Sequence, residues 1–360
     1  MTSVTLCKNC LFPLMENQPA SNGNCHVCNS PETYKHIIKP PDLEKVNQLI
    51  SETKERGKNS EYDCIVAWSG GRDSTCMLYE LVTIHKLRCV AVFGKTPFTP
   101  KDIIDNVHRI ANKLNIKLIE VDTHKNHKKI ATFCLKEYIR TKIPILINLA
   151  CAPCKYINNT LYVYAKKLKI NTVISGGNRF EYIPAGPASI NVGNSENRYS
   201  VSSMIKDVFS RLFKGVGVIA SSPVLLRYLV TFFKAAILYV NHYSIYLRMK
   251  YPKVGRFDYY HYADWNEKRI EEILNIVGWK LPKDCTSTWR ADCVFDAIKN
   301  TAFRDQVGFT YGQALYSNLI RAGKMTRDEG LEKLKKENIS QKRLSEALKL
   351  CGLPEDSLTV

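Results

Sequence analysis

Acidic side chains are scarce in this chain. Asp and Glu number 34 against 52 Lys and Arg, a formal net charge of +18 over 360 residues. That balance argues against a cationic partner and favours an anionic one: a nucleotide, a nucleotide-sugar, tRNA or an acidic membrane surface. No apolar run reaches the roughly 20 uninterrupted residues of a spanning helix. The strongest, Val216 to Val240, is broken by Ser221-Ser222-Pro223, Arg227 and Lys234. It reads as two helices with a very apolar face, packed on the core or resting on a membrane surface. The start, MTSVTLCKNC, lacks the charged-then-apolar order of a secretory signal, so a cytoplasmic, reducing location is expected. Neither GxxxxGK[ST] nor GxGxxG occurs, which removes two familiar glycine-rich phosphate motifs. Long repeats and low-complexity tracts are absent as well.

What is present is organised around Ser69-Gly70-Gly71-Arg72-Asp73-Ser74. It follows the apolar run Tyr62 to Trp68, a buried strand by its β-branched centre, and precedes a helical pattern from Thr75 to Lys86. Strand, Gly-Gly turn and helix aim backbone N–H groups and a helix N-terminus at an anion. The glycines remove Cβ atoms where a phosphate must come close. Ser69 and Ser74 add hydroxyls, Asp73 is a candidate Mg²⁺ ligand, and Arg72 either pairs with a phosphate or faces solvent.

The β–α alternation continues from this point. Strands are expected at 88–93, 116–121 and 172–175, and helices at 73–86, 101–114, 127–142 and 147–168. This is the pattern of an α/β fold, a parallel sheet with helices on both faces. Such sheets bind ligands beyond the carboxyl ends of their strands. The loop 69–74 and the segment Gly176-Gly177-Asn178 then share one rim. Further on, helices are expected at 264–278, with Asp264 as N-cap, at 303–322, after the capping box Thr326-Arg-Asp-Glu329, and from Ser340 onward. The intervening stretch 280–296 carries Cys285, Trp289, Arg290, Asp292 and Cys293 without a regular pattern.

Thirteen cysteines in a reducing compartment point to metal or catalytic use. Cys7-x-x-Cys10 and Cys25-x-x-Cys28, split by a loop, have the spacing of a zinc knuckle or ribbon, one tetrahedral Zn²⁺ held by four thiolates. So small a segment would owe its fold to the metal. Cys151-x-x-Cys154 lies just before the fourth strand, at the opening of a helix, where thiols are commonly acidified and reactive or metal-binding.

The loop SGGRDS resembles SGGxDS, the pyrophosphate loop of the N-type ATP pyrophosphatases, the PP-loop or adenine nucleotide α-hydrolase-like superfamily. That resemblance implies ATP cut between its α and β phosphates, AMP taken by a substrate oxygen, and displacement by a nitrogen or sulfur nucleophile. The order CxxC…CxxC, YDCIVAWSGGRDST, TVISGGN, FDYYHYADWNEKRIEEILNIVGWK and LIRAGKMTRDEGLEKL covers most of the chain. It is similar to the N-acetyl sugar amidotransferase family of surface-polysaccharide and lipopolysaccharide pathways. Those enzymes convert an acetamido group on a sugar into an acetamidino group, with ammonia from a partner glutaminase. The likeness implies that Ser69, Gly70, Gly71, Asp73 and Ser74 hold the ATP phosphates and that Gly176, Gly177 and Asn178 line the nucleotide. It makes Asp73 and Ser69 the expected catalytic residues.

Cys151 and Cys154 depart from that family. Their placement is similar to the tRNA-thiolating branch, in which two such cysteines and a third downstream hold an iron–sulfur cluster. Cys293, ahead of Cys285, is the expected third. Three readings therefore stand: a nucleotide-sugar amidotransferase, a thiolation enzyme acting on tRNA or a small molecule, and a nucleotide-binding scaffold without turnover. The expected organisation is a zinc module at 1–35, a linker helix at 36–60, the ATP-pyrophosphatase domain at 61–200 and a mostly helical substrate or partner region at 201–360.

Overall fold

A computed structural model describes residues 5–14, 22–30, 34–123, 125–143, 145–181, 223–239, 245–336 and 339–358. Five strands form its sheet: β1 (Cys64–Trp68), β2 (Cys89–Lys95), β3 (Lys117–Asp122), β4 (Thr172–Ser175) and β5 (Gly255–Asp258). All pairings are parallel and the order is β3-β2-β1-β4-β5. The order reverses between β1 and β4, so the carboxyl ends of those two strands open the crevice where open α/β sheets take ligands.

The central strands alternate between two cores, as a pleat with period two requires. Cys64, Val66 and Trp68 of β1, with Ala91 and Phe93 of β2, face a large cluster. Into it pack the helices α1 (Leu43–Gly57), α2 (Arg72–Tyr79) and α3 (Lys101–Lys113). Ile65, Val90, Val92 and Val173 face the other side. The expected α/β architecture is thus present, with both faces covered. The apolar runs of β1 and β2 reflect that double burial.

The helix boundaries have local causes. Asp42 caps α1 through its side chain, which accepts from the Lys45 amide at 2.9 Å. The helix after the Gly-Gly turn widens into a π turn over Glu80–Ile84. The helix expected at 127–142 is α4 (His127–Thr141), while the single helix expected at 147–168 is divided into α5 (Ile145–Ala150), a 3₁₀ turn, Ala152–Lys155, and α6 (Tyr156–Lys167). Pro153 sits in that turn, where its missing N–H costs no helical bond.

The C-terminal half differs from its sequence reading at three points. The expected helix at 303–322 is two helices, α9 (Phe295–Val307) and α10 (Tyr311–Arg321). Gly308 ends the first at φ +77°, and the Thr310 hydroxyl caps the second by accepting from the Gln313 amide at 3.1 Å. The helix expected from Asp264 is α8 (Glu267–Val277), capped instead by Asn266, while Asp264 pairs with Lys324 at 2.6 Å. β5 escaped the reading because it offers one buried apolar side chain, Phe257, in four residues. Its pairing with β4 creates it, not a local pattern.

Of the apolar stretch 216–240, the part after residue 222 is described, apart from residue 240. It forms a 3₁₀ turn, Pro223–Tyr228, and α7 (Leu229–Tyr239); the first expected helix lies outside the described residues. Among the described residues no helix is long and apolar enough to cross a membrane. Two last helices close the chain, α11 (Arg327–Lys336) and α12 (Gln341–Leu350). The expected capping box opens α11, with the Glu329 carboxylate accepting from the Thr326 amide at 2.8 Å.

Aromatic residues from the C-terminal half, Trp265 and Trp279, and Leu315 and Leu319 of α10, enter the same core as β1 and α2. Residues more than 190 positions after the Gly-Gly turn are therefore packed against it.

Candidate functional site

The turn after β1 is tight and internally bonded. The Ser69 and Ser74 hydroxyls lie 3.1 Å apart, and the Gly71 amide donates to Ser69 Oγ at 3.2 Å. Gly70 has φ +78°, and a Cβ there would stand 2.7 Å from Ile103 Cγ2 of α3. Only glycine allows the chain to turn so close under that helix. The second glycine segment comes equally close. A Cβ on Gly176 would lie 3.0 Å from the Ser74 Cα. The two segments expected on one rim lie backbone against backbone, and Asn178 joins them by donating to Asp73 Oδ2 at 2.6 Å.

Asp73 is nearly saturated. Its Oδ1 accepts from Arg72 Nε at 3.1 Å, and its Oδ2 accepts from Asn178 and from Trp265 Nε1 at 3.2 Å. Arg72 neither faces solvent nor stands free. It is 3% exposed, with its guanidinium 3.5 Å above the Trp289 ring. Its Nη1 donates to Thr288 at 2.9 Å and to Glu267 at 3.3 Å. Desolvating a guanidinium is costly, and here the cation–π face and two carboxylates offset that cost.

Trp279 Nε1 donates to the Gly70 carbonyl at 2.9 Å, so residues from the C-terminal half brace both sides of the turn. Between the turn, the Gly176-Gly177 segment and the stretch Thr288–Asp292 lies a cleft of about 220 Å³. Glu181, Arg290 and Asp292 line it, and sequence reading assigned them no role. Arg290 pairs with Glu181 at 2.8 Å. Desolvation pushes the Glu181 carboxyl up; Arg290 opposes that shift, and Asp73 and Asp292 add to it. Asp292 reaches the Gly71 position, where a Cβ would stand 3.1 Å from its Oδ2. The only hint in the sequence was a cluster of Trp, Arg and Asp in a stretch without periodicity.

The four N-terminal cysteines, Cys7, Cys10, Cys25 and Cys28, have all their sulfurs within 4.8 Å of one another. The Cys10–Cys28 and Cys10–Cys25 distances are 3.6 and 3.9 Å. Four thiolates about 2.3 Å from one tetrahedral ion stand about 3.8 Å apart, so the group fits a single metal ion. Amides already point at the sulfurs: Cys25 N–H to Cys7 Sγ at 3.2 Å and Phe12 N–H to Cys10 Sγ at 3.3 Å. Arg321, at the end of α10, donates to Cys10 at 3.1 Å, to Cys28 at 3.4 Å and to Cys25 at 3.5 Å. Its positive charge balances the thiolates.

From Arg321 an unbroken series of hydrogen bonds runs to the turn after β1. Arg321 Nη1 donates to Asn318 Oδ1 at 2.7 Å. Asn318, fully buried, donates to the Phe180 carbonyl at 2.9 Å. The Phe180 and Glu181 amides both donate to Asn178 Oδ1, at 2.9 and 3.1 Å. Asn178 then holds Asp73. The knuckle and the turn, distant in sequence, are one polar network.

Cys151, Cys154 and Cys293 come within electrostatic reach of one another, while Cys285 goes elsewhere, accepting from Arg343. Cys154 Sγ lies 3.7 Å from His127 Nε2. The acidified thiol expected at this helix opening is not found at Cys154. Burial, reinforced by Cys151, pushes Cys154 up to about 12, and burial with both neighbouring thiols pushes Cys293 well above its ordinary value. The 3₁₀ turn puts Cys151 and Cys154 before α6 rather than in its first turn, and desolvation dominates.

No family model and no curated protein matches the chain. Among solved structures it is similar to an NMN synthetase from Francisella tularensis, at 14% identity over 81% of this chain and 91% of that one, TM-score 0.38. It is similar to a U34-tRNA thiolase, NcsA, from Methanococcus maripaludis with its [4Fe-4S] cluster, at 14% identity over 93% and 89%, TM-score 0.34. A glutamine-dependent NAD⁺ synthetase from Acinetobacter baumannii, in complex with ADP, has 17% identity over 48% of this chain and 29% of that one, TM-score 0.29. Likenesses this distant assign neither family nor activity to this chain.

Two outcomes follow from the geometry. Gly70→Ala forces a side chain into a left-handed backbone and into Ile103, so urea unfolding should show a loss of roughly 1–3 kcal/mol. Asn318→Asp keeps the acceptor toward Arg321 but replaces the donor to Phe180 with a second acceptor. Metal content at the knuckle should stay unchanged while ATP affinity, read by calorimetry, falls about tenfold, the scale of one buried hydrogen bond. Undiminished ATP affinity would separate the two regions.

Proposed function

We propose that the chain is an ATP-pyrophosphatase-type enzyme that adenylates a carbonyl oxygen. Its specific reaction, on this reading, is conversion of an acetamido group on a nucleotide-sugar to an acetamidino group, with ammonia from a partner glutaminase. The observation that carries the first half is the joining of Ser69–Ser74 and Gly176–Asn178, at the β1/β4 crevice, through the Asn178–Asp73 bond. The second half rests on the sequence resemblance.

In the first step the amide oxygen attacks the α-phosphorus of ATP and pyrophosphate departs. The Gly71 amide and the Ser69 and Ser74 hydroxyls, bonded to one another in this structure, exchange partners to receive the leaving phosphates. Ammonia then adds to the activated carbon, and AMP leaves with the former amide oxygen. Mg²⁺ supplies charge neutralisation to the phosphates. Of the cleft carboxylates, Asp73 is taken up by three donors, whereas no hydrogen bond or ion pair among the described residues reaches Asp292. Asp292 is therefore the residue best placed to hold the cation, with Asp73 shaping the loop. The knuckle chemistry suits Zn²⁺, and its place is structural because four thiolates close the shell.

A second reading, sulfur transfer to a tRNA or small molecule through a cluster, rests on the sequence likeness of Cys151 and Cys154 to the thiolating branch, with Cys293 in electrostatic reach of both.

Ser69→Ala should lower AMP formation about a hundredfold with the fold retained, and Asp73→Ala should do the same while also lowering stability, since it orphans three buried donors; wild-type rates in either would sink the adenylation reading. Metal analysis of anaerobically purified protein separates the two donors. One zinc per chain, lost in Cys10→Ser, with no iron or persulfide, supports nitrogen transfer. Iron and sulfide that disappear in the Cys151→Ser, Cys154→Ser double variant would replace that reading with thiolation.

A further inference from the structure

The most apolar exposed surface lies away from the cleft, on α7 and on the short helix Ile245–Lys250 that packs beside it. Both helices bury one side in the same cluster, through Leu238 and Leu247 against α6. Among the described residues the outer sides carry exposed apolar side chains. Val230 and Phe233 stand three apart on one side of α7, and Leu226 of the preceding 3₁₀ turn is exposed as well. Val230 is 66% exposed, Phe233 47% and Met249 of the neighbouring helix 78%.

The segment that carries this stripe has charge of one sign. From residue 208 to residue 257 the sequence contains no Asp or Glu. Arg227, Lys234, Arg248, Lys250 and Lys253 are all exposed beside the apolar residues. Tyr246 stands among them, its hydroxyl accepting from Lys250 at 2.9 Å. A protein partner would call for a lysine-poor apolar centre. An apolar stripe framed by Lys and Arg, with Tyr at its edge and no acid, is the pattern of a helix lying in the headgroup region.

We propose that this face seats the protein on an anionic lipid surface, with α7 lying in the interface. Leu226, Val230, Phe233 and Met249 enter the acyl boundary, and the Arg and Lys residues meet lipid phosphates. The same helix packs against the Ala152–Lys155 turn, so the surface holds the Cys154 side of the molecule toward the lipid.

The test uses full-length protein and two vesicle types, phosphatidylcholine alone and phosphatidylcholine with phosphatidylglycerol. Wild type should sediment with the anionic vesicles only and be released by salt. The Arg227→Gln, Lys234→Gln variant should partition about 25-fold less, about fivefold per charge. Val230→Ser, Phe233→Ser should abolish binding, and unchanged melting would show that these exposed changes leave the fold intact. Phe233→Trp provides a reading that needs no loss of binding: the emission of the introduced indole should shift to the blue and be quenched by brominated acyl chains. Absence of sedimentation with anionic vesicles, equal binding by the variants or an unquenched indole in the Phe233→Trp protein each overturns the proposal. So does a concentration-dependent dimer that the serine variant breaks, since the face would then belong to a second copy of the chain.

Discussion

The carboxylate of Asp73 is the point on which the site depends. It is buried, it is charged, and every donor that satisfies it comes from a different part of the chain. Arg72 lies beside it, Asn178 follows the fourth strand, and Trp265 precedes α8. A buried carboxylate without such donors would cost several kcal/mol. The sheet, the second glycine segment and the C-terminal half are therefore fixed relative to the turn by one shared electrostatic need. Arg72 extends the same logic outward. Its stack on Trp289 and its bond to Thr288 tie the stretch 288–292 over the turn, which brings Arg290 and Asp292 to the cleft.

The four-cysteine knuckle belongs to this network. Its sulfurs bind Arg321, and Arg321 reaches Asp73 through Asn318, Phe180 and Asn178. A structural metal usually stabilises its own module. Here the guanidinium that balances the thiolates also orders the helix that holds the Phe180 carbonyl, so the charge state of the knuckle bears on the geometry of the loop. The cost of an unpaired buried donor makes such a series stiff, since no link can relax without orphaning its neighbour.

The three cysteines near the cleft illustrate how tertiary placement reverses a local rule. A helix opening lowers a thiol's proton affinity through the aligned amides. Burial among other thiols raises it, and at Cys154 and Cys293 the second effect wins. Free thiols in that state are poor nucleophiles at neutral pH. A metal that displaces their protons makes use of the same burial.

Sequence by itself determined the local order of the chain. Buried runs gave β1, β2 and β4. The Gly-Gly turn, the caps at Asp42 and Thr326 and the CxxC spacings are short-range features whose physics is complete within a few residues. β5 depended on pairing with β4, because four residues with one buried side chain carry no period. The helix at 303–322 was overextended, although Gly308 and Thr310 marked the break. Glu181, Arg290 and Asp292 were beyond reach, since nothing in their own segments says which loop they will face. That was decided when Trp265, Trp279 and α10 packed into the core beside β1, because burying those side chains removes far more apolar surface from water than any local preference offers. Which charges then meet across the cleft follows from that packing alone.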